Sequence, residues 1–195
     1  MQPKRVPPEE EADMTEMRER RAKAMAAITS VGAMLRGDAG IFKRLKAEHA
    51  EISSLLKQVA ATKGNGVEVR RRLFPKIKNE LLAHSKAEEH EFYELLKAFA
   101  DTRDIVSRNA EEHGGIEQLL HSLETMNVEP ASWMDVFEQL KLRVEHHVDE
   151  EEHKLFPLAK QHIDRRRADA IERRYLEAKR RYLRIFEQAY PNARV

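Results

Sequence analysis

The sequence predicts an all-α protein: an up-down-up-down four-helix bundle with an added N-terminal helix and a C-terminal helix. Three observations predict it. Apolar residues recur at steps of three and four along successive segments, and no stretch alternates convincingly with period two. Gly and Pro are scarce, at seven each, while charged residues reach 35%, a composition of long amphipathic helices. The connections between the periodic segments are short, which makes neighbouring helices antiparallel.

Residues 1–10 are Pro- and Glu-rich and predict a disordered N-terminus. Residues 11–37 predict an accessory helix, with Met14, Met17, Ala24, Ile28, Val31 and Leu35 on one side, broken by Arg21 and ended by "RGDAG". The bundle is expected over 40–162. Its first stripe is Phe42, Leu45, His49, Ile52, Leu56 and Val59, closed by the turn "KGNG". The second is Ile77, Leu81, His84, Glu88, Phe92 and Leu95, with Pro75 expected to start or kink the helix. The third, with Asp101 as its cap, is Val106, Asn109, His113, Ile116, Leu120 and Leu123. The loop "NVEPAS" and a Ser132–Asp135 pair resembling a capping box lead to Phe137, Leu140, Val144, His147, Glu151, Leu155 and Leu158. A basic C-terminal helix over 164–190 places Ile171, Tyr175, Ala178, Tyr182, Ile185 and Ala189 on one side.

The 35 basic and 34 acidic residues give a net charge of +1, so there is no global pull toward nucleic acid or membrane. The basic helix, net +4 from nine Lys or Arg and five Asp or Glu over 164–189, reads as a solvated basic face over an apolar stripe. There is no Cys, which excludes disulfides, zinc–thiolate sites, iron–sulfur clusters and thiol catalysis. No segment approaches the length of a membrane span. The run "RERRAKAMAAITSVGAML" has the order of a signal peptide, but it starts inside the chain behind "PPEEEAD" and is only Ala-rich, so a cytoplasmic location is expected.

The chemistry lies in residues that interrupt the stripes. His49, His84, Glu88, His113, His147 and Glu151 all point into the predicted core. Burying a carboxylate costs several kcal/mol unless it is paired or bound to a metal. His and Glu at i, i+4 share a helix face, so His84 with Glu88 and His147 with Glu151 each present two ligands to one site. Mixed imidazole and carboxylate suits iron, manganese or zinc and disfavours magnesium or calcium. Six donors are too many for one tetrahedral zinc. They suit two metals, each with two His, bridged by the two carboxylates and open to an outside ligand.

An internal repeat supports this pairing. "HSKAEEHEFYELL" lies over "HHVDEEEHKLFPLA" so that His84 falls on His147, Glu88 on Glu151, Glu89 on Glu152 and His90 on His153. "AEHAEISSLL" lies over "EEHGGIEQLL" and sets His49 on His113. Two helical hairpins would each give one His and one His-x-x-x-Glu. The rival register of His146 with Glu150 falls off the stripe. Only Glu150–His153 has the Glu-x-x-His spacing of ferritin-type sites.

Residues 41–160 resemble a hemerythrin-like domain, the HHE cation-binding family, through "LKAEH", "LLAHSKAEEHEFY", "AEEHGGI" and "VEHHVDEEEHKLFP". The resemblance implies a four-helix bundle holding two Fe atoms in a non-haem di-iron centre, with Glu88 and Glu151 as bridging carboxylates. It implies a small diatomic or peroxide as partner, and leaves two classes of function. One is a centre that reacts with oxygen, decomposes peroxide in a catalase-like way, or reduces nitric oxide. The other is an oxygen- or iron-binding sensor or storage protein without turnover. Oxygen-carrying hemerythrins have His-x-x-x-His on the third helix. Here His113 has Glu117 at i+4 and Asn109 at i−4. Either the site has one ligand fewer, or Glu117 substitutes as an additional ligand, or another residue reaches in; an extra open position favours reactivity over reversible carriage. Glu89 and Glu152 are candidates for moving protons if they turn inward. His90 and His153, six residues past the ligand His, are expected to turn away from it, with a role around the ligands or in a surface metal site as the alternative. His121 is expected at the rim or surface. Iron–sulfur repair proteins resembling this family carry an extra Cys-bearing segment that this chain lacks.

Overall fold

The structure, a computed structural model, describes residues 38–62, 66–129 and 131–189. The expectations for residues 1–10 and 11–37 lie outside the described residues. Among those described the chain is all-helical, with no strand. The elements are α1 (Ile41–Ala60), α2 (Val67–Glu88), α3 (Glu94–Leu96), α4 (Ala100–Thr125), α5 (Ala131–Glu150), α6 (Phe156–His162) and α7 (Arg165–Ala189). Two π-helical turns, Glu89–Tyr93 and Glu151–Leu155, join α2 to α3 and α5 to α6 without a break. No helix among the described residues is long and apolar enough to cross a membrane.

The first and third stripes are buried at every position predicted. The second and fourth hold as far as Phe92 and Leu155, then slip by one residue. Leu96 and Ala159 are buried where the spacing predicts Leu95 and Leu158. The cause is the π-turn, which widens the helix by one residue. Each turn also brings two neighbouring side chains inside, Phe92 with Tyr93 and Leu155 with Phe156.

Helix starts differ from expectation at Asp101 and Ser132, and of the two expectations for Pro75 the start is excluded. Pro75 lies inside α2, which already begins at Val67. Asp101 is not a cap: it lies in the first turn of α4 and accepts a hydrogen bond from His162 Nε2 at 2.9 Å. Thr102 ties that start down by donating to the Leu96 carbonyl at 2.6 Å. Ser132 falls within the first turn of α5, which begins at Ala131.

α1 packs against α2, α5 and α7, and α4 packs against α5 and α2. α7 lies along α2 and the first π-turn. The chain enters α1 through Gly40, where φ is 53° and an added Cβ would come within 2.4 Å of the Ala168 backbone. Only glycine allows both that dihedral and that approach of α7. Two apolar clusters form the core. One contains Phe42, Leu45, Phe92, Leu96 and Phe156 with Ile171 and Tyr175 of α7. The other contains Ile52, Leu56, Leu81, Ile116, Trp133 and Leu140. In each long helix the interrupting polar residues fall between members of these two clusters.

Candidate metal centre

The six predicted donors come together. His49, His84 and Glu151 place a donor atom each within 4.8 Å of one another, and Glu88, His113 and His147 do the same. Each group takes two imidazoles from one hairpin and a carboxylate from the other. Glu88 Oε2 lies 3.4 Å from His84 Nε2 and 3.7 Å from His113 Nε2. Glu151 Oε2 lies 3.3 Å from His49 Nε2 and 3.8 Å from His147 Nε2. Each carboxylate therefore stands between imidazoles of both hairpins. His113 Nε2 and His147 Nε2 are 3.0 Å apart.

All four rings are oriented from behind. His49 Nδ1 donates to Glu152 at 2.9 Å, and His113 Nδ1 donates to Glu89 at 2.9 Å. His84 Nδ1 donates to Glu48 at 3.1 Å, and His147 Nδ1 donates to Glu112 at 3.0 Å. A carboxylate on Nδ1 fixes the proton there and leaves Nε2 as the inward donor atom. The pattern obeys the repeat. Glu48 and Glu112 precede His49 and His113 and serve the second helix of their own hairpin. Glu89 and Glu152 follow Glu88 and Glu151 and serve the opposite hairpin. Rings cover the set symmetrically as well: Tyr93 stacks on His113 at 5.5 Å between centroids, and Phe156 stacks on His49 at 6.2 Å.

The electrostatics show what the cluster lacks without a cation. Glu88 and Glu151 are both fully buried. Burial and then the charge of Glu151 raise Glu88 well above the usual carboxylate range. Burial also works against Glu151, but His49, His147 and Tyr93 override it and hold this carboxyl low. Burial opposes charge on His49 too, yet Glu151 and Glu152 raise it to about 9. For His84 burial wins over Glu48, and its pKa falls to about 4. Both oxygens of Glu88, Oε2 of Glu151 and Nε2 of His49 are buried without a hydrogen-bond partner. Orphaned buried polar atoms are rare and costly. Here they converge, and a bound cation would satisfy all of them. The residues present fit a metal.

Other predicted residues lie elsewhere. Glu117 does not join the cluster: its side chain is 51% exposed and pairs with Lys86 at 3.0 Å. Its outward direction follows from the stripe, which steps from His113 to Ile116, so the i+4 position turns to solvent. Asn109, one turn before His113, is buried next to the Tyr93 hydroxyl. His90 and His153 turn away from the cluster, as expected: both are exposed and pair with Glu91 and Asp149. His121 is exposed, as expected of a rim residue. His146 is exposed and faces Glu112 at 3.4 Å, while His147 is buried in the cluster. Glu112, His146 and Glu150 form a third, more open group of donors, in which Glu150 pairs with Lys154.

Sequence reasoning missed Glu48, Glu112, Tyr93, Tyr175 and Lys179. A signal existed for the first two. The dipeptide Glu-His stands at 48–49 and again at 112–113, inside the matched segments. Tyr93 donates to Glu151 Oε1 at 2.6 Å. Tyr175 donates to Glu48 Oε2 at 2.6 Å, and Lys179 Nζ to the same oxygen at 2.7 Å.

Comparison with known proteins agrees with this geometry. The hemerythrin HHE cation binding domain matches residues 33–159. No curated protein and no solved structure gives a significant match. The match spans more than half of the chain and every residue of the two His–Glu groups: the chain belongs to the hemerythrin HHE cation-binding domain family.

Proposed function

We propose that the four ligand-bearing helices form an up-down-up-down bundle around a non-haem di-iron centre that reacts with oxygen or hydrogen peroxide. His49 and His84 would hold one iron, His113 and His147 the other, with Glu88 and Glu151 shared between them. The observation that carries this reading is the position of each carboxylate between imidazoles of opposite hairpins, with three of the four carboxylate oxygens unpartnered. Bound iron supplies the redox chemistry, namely the reduction of oxygen or the disproportionation of peroxide.

The protein's own contribution is positioning. The four Nδ1–carboxylate bonds aim the imidazoles before any metal arrives, and Tyr93 fixes Glu151 through one oxygen while leaving the other free. Phe156 and Tyr93, stacked on His49 and His113, keep water off the ring faces. Glu89, Glu112 and Glu152 are partly exposed, so three of the imidazole protons rest on carboxylates that meet solvent. These pairs are suited to exchanging protons with water while the carboxylates shared between the hairpins stay dry. Support for reactivity over reversible carriage comes from the third helix. Its i+4 position carries the outward Glu117, and its i−4 position carries an amide, so it offers no fifth imidazole.

The test is stopped-flow absorption of the reduced, iron-loaded protein on mixing with oxygen, alongside an oxygen-electrode assay with hydrogen peroxide. Rapid oxidation and oxygen release from peroxide are expected. Reversible oxygen uptake with no peroxide consumption would overturn the reading in favour of a sensor or storage protein.

A further inference from the structure

The two halves of the cluster use the same types of donor and differ in what stands behind them. Three of the four carboxylates on Nδ1 atoms reach solvent: Glu89, Glu112 and Glu152. Glu48 does not; it is 5% exposed. Its Oε2 accepts from His84 Nδ1 at 3.1 Å, from the Tyr175 hydroxyl at 2.6 Å and from Lys179 Nζ at 2.7 Å. Tyr175 Oη also stands 2.9 Å from His84 Nδ1. Tyr175 and Lys179 lie four residues apart on α7 and so share one face of it. That helix lies outside the internal repeat, and among the described residues nothing equivalent backs the other half.

We propose that α7 is a working part of the metal centre, and that Tyr175 and Lys179 are positioning residues which make its two metal positions unequal. They lock Glu48, Glu48 locks the His84 ring, and the His49–His84–Glu151 half takes the first metal and holds it more tightly. This rests on the two-metal reading above. Swinging Glu48 away would strip the buried Lys179 ammonium of one of its two carboxylate partners and the Tyr175 hydroxyl of its acceptor, whereas Glu89 and Glu112 can exchange their bonds with water. A cation beside a metal site would ordinarily repel the metal. Here Lys179 also pairs with Glu80 at 3.0 Å. The Glu48–Lys179–Glu80 set therefore carries the same net −1 as a lone carboxylate, and ordering of the ring is what remains. Removing such a supporting contact weakens metal affinity by about 10–100-fold.

The test is calorimetric and visible-absorption titration of the metal-free full chain with cobalt(II). Wild type should bind two cobalt ions in two resolved steps. Tyr175→Phe and Lys179→Met should weaken the first step at least about 10-fold, leave the second within about 3-fold, and change the absorption bands of the first ion only. Glu112→Gln, which removes the matching support in the other half, should weaken the second step instead. Circular dichroism melts of the metal-free variants check folding, and the milder Lys179→Arg should restore part of the first step. Two ions bound with both steps weakened alike, or with neither changed, overturn this inference alone. Fewer than two ions bound by wild type overturn the two-metal reading beneath it.

Discussion

The Tyr93 hydroxyl donates to Glu151 Oε1 at 2.6 Å, while neither oxygen of Glu88 has a hydrogen-bond partner. The repeat places Phe156 where a second tyrosine would complete the symmetry. Phe156 stacks on His49 as Tyr93 stacks on His113, so one hydroxyl separates the two carboxylates. Tyr93→Phe should keep the stacking and leave a buried acceptor unpaired. The expected loss is about 1–3 kcal/mol in the metal-free protein, read by urea unfolding. An unchanged midpoint would mean the hydroxyl does not hold Glu151.

Metal content follows from the donor set. Iron loading should give about two iron atoms per chain by elemental analysis. A metal that satisfies the orphaned buried atoms also stabilises the fold, so the metal-free protein should melt several degrees lower. Equal melting temperatures, or one iron or none on folded protein, would contradict this.

Glu151, expected as a bridging carboxylate, and Glu117, expected only as a candidate additional ligand, part company. Glu151→Ala removes a carboxylate from the centre and should lower iron content and abolish peroxide consumption. Glu117→Ala removes a surface partner of Lys86 and should change neither; stability should stay within about 0.5 kcal/mol. Iron lost from the Glu117 variant would return that residue to the ligand set.

The metal-free protein should lose stability as pH rises from about 6.5 to 9. His49 is raised to about 9 in the fold, so its protonation stabilises the fold fully below the unfolded value near 6.5. That contribution, at most about 3 kcal/mol, is gone above the folded value. Glu88, raised by burial, pushes the same way, because a raised carboxyl costs stability as pH climbs toward its folded value. His84, lowered to about 4, acts on the other side and removes stability as pH falls below about 6.5. Metal displaces these protons, so the gap between metal-loaded and metal-free melting temperatures should widen toward pH 9. A constant gap would show that the imidazoles and carboxylates of the cluster do not exchange protons for metal.

Much of the fold and the six central donors could be read from the chain itself. A stripe at steps of three and four fixes which face of a helix is dry, and a His or Glu on that face must go inward with it. The i, i+4 spacings of His84 with Glu88 and of His147 with Glu151 put both side chains of each pair on one wall. Glu117, a candidate ligand by its i+4 spacing from His113, turns outward instead, in keeping with a third stripe that steps from His113 to Ile116.

Contacts between elements were not legible. Glu48 lies one residue off its stripe, and it becomes a partner of His84, 36 positions further along the chain, only because α1 and α2 pack side by side. The π-turns after Glu88 and Glu151 leave no mark in a period of 3.6, because an extra residue is admitted only where packing at the site repays the widened turn. Periodicity likewise showed that α7 has a buried face with Tyr175 on it, but not what that face would meet. Local spacing determines which side of a helix is buried; only the docking of one helix on another decides which carboxylate stands behind which imidazole, and so how the site is held.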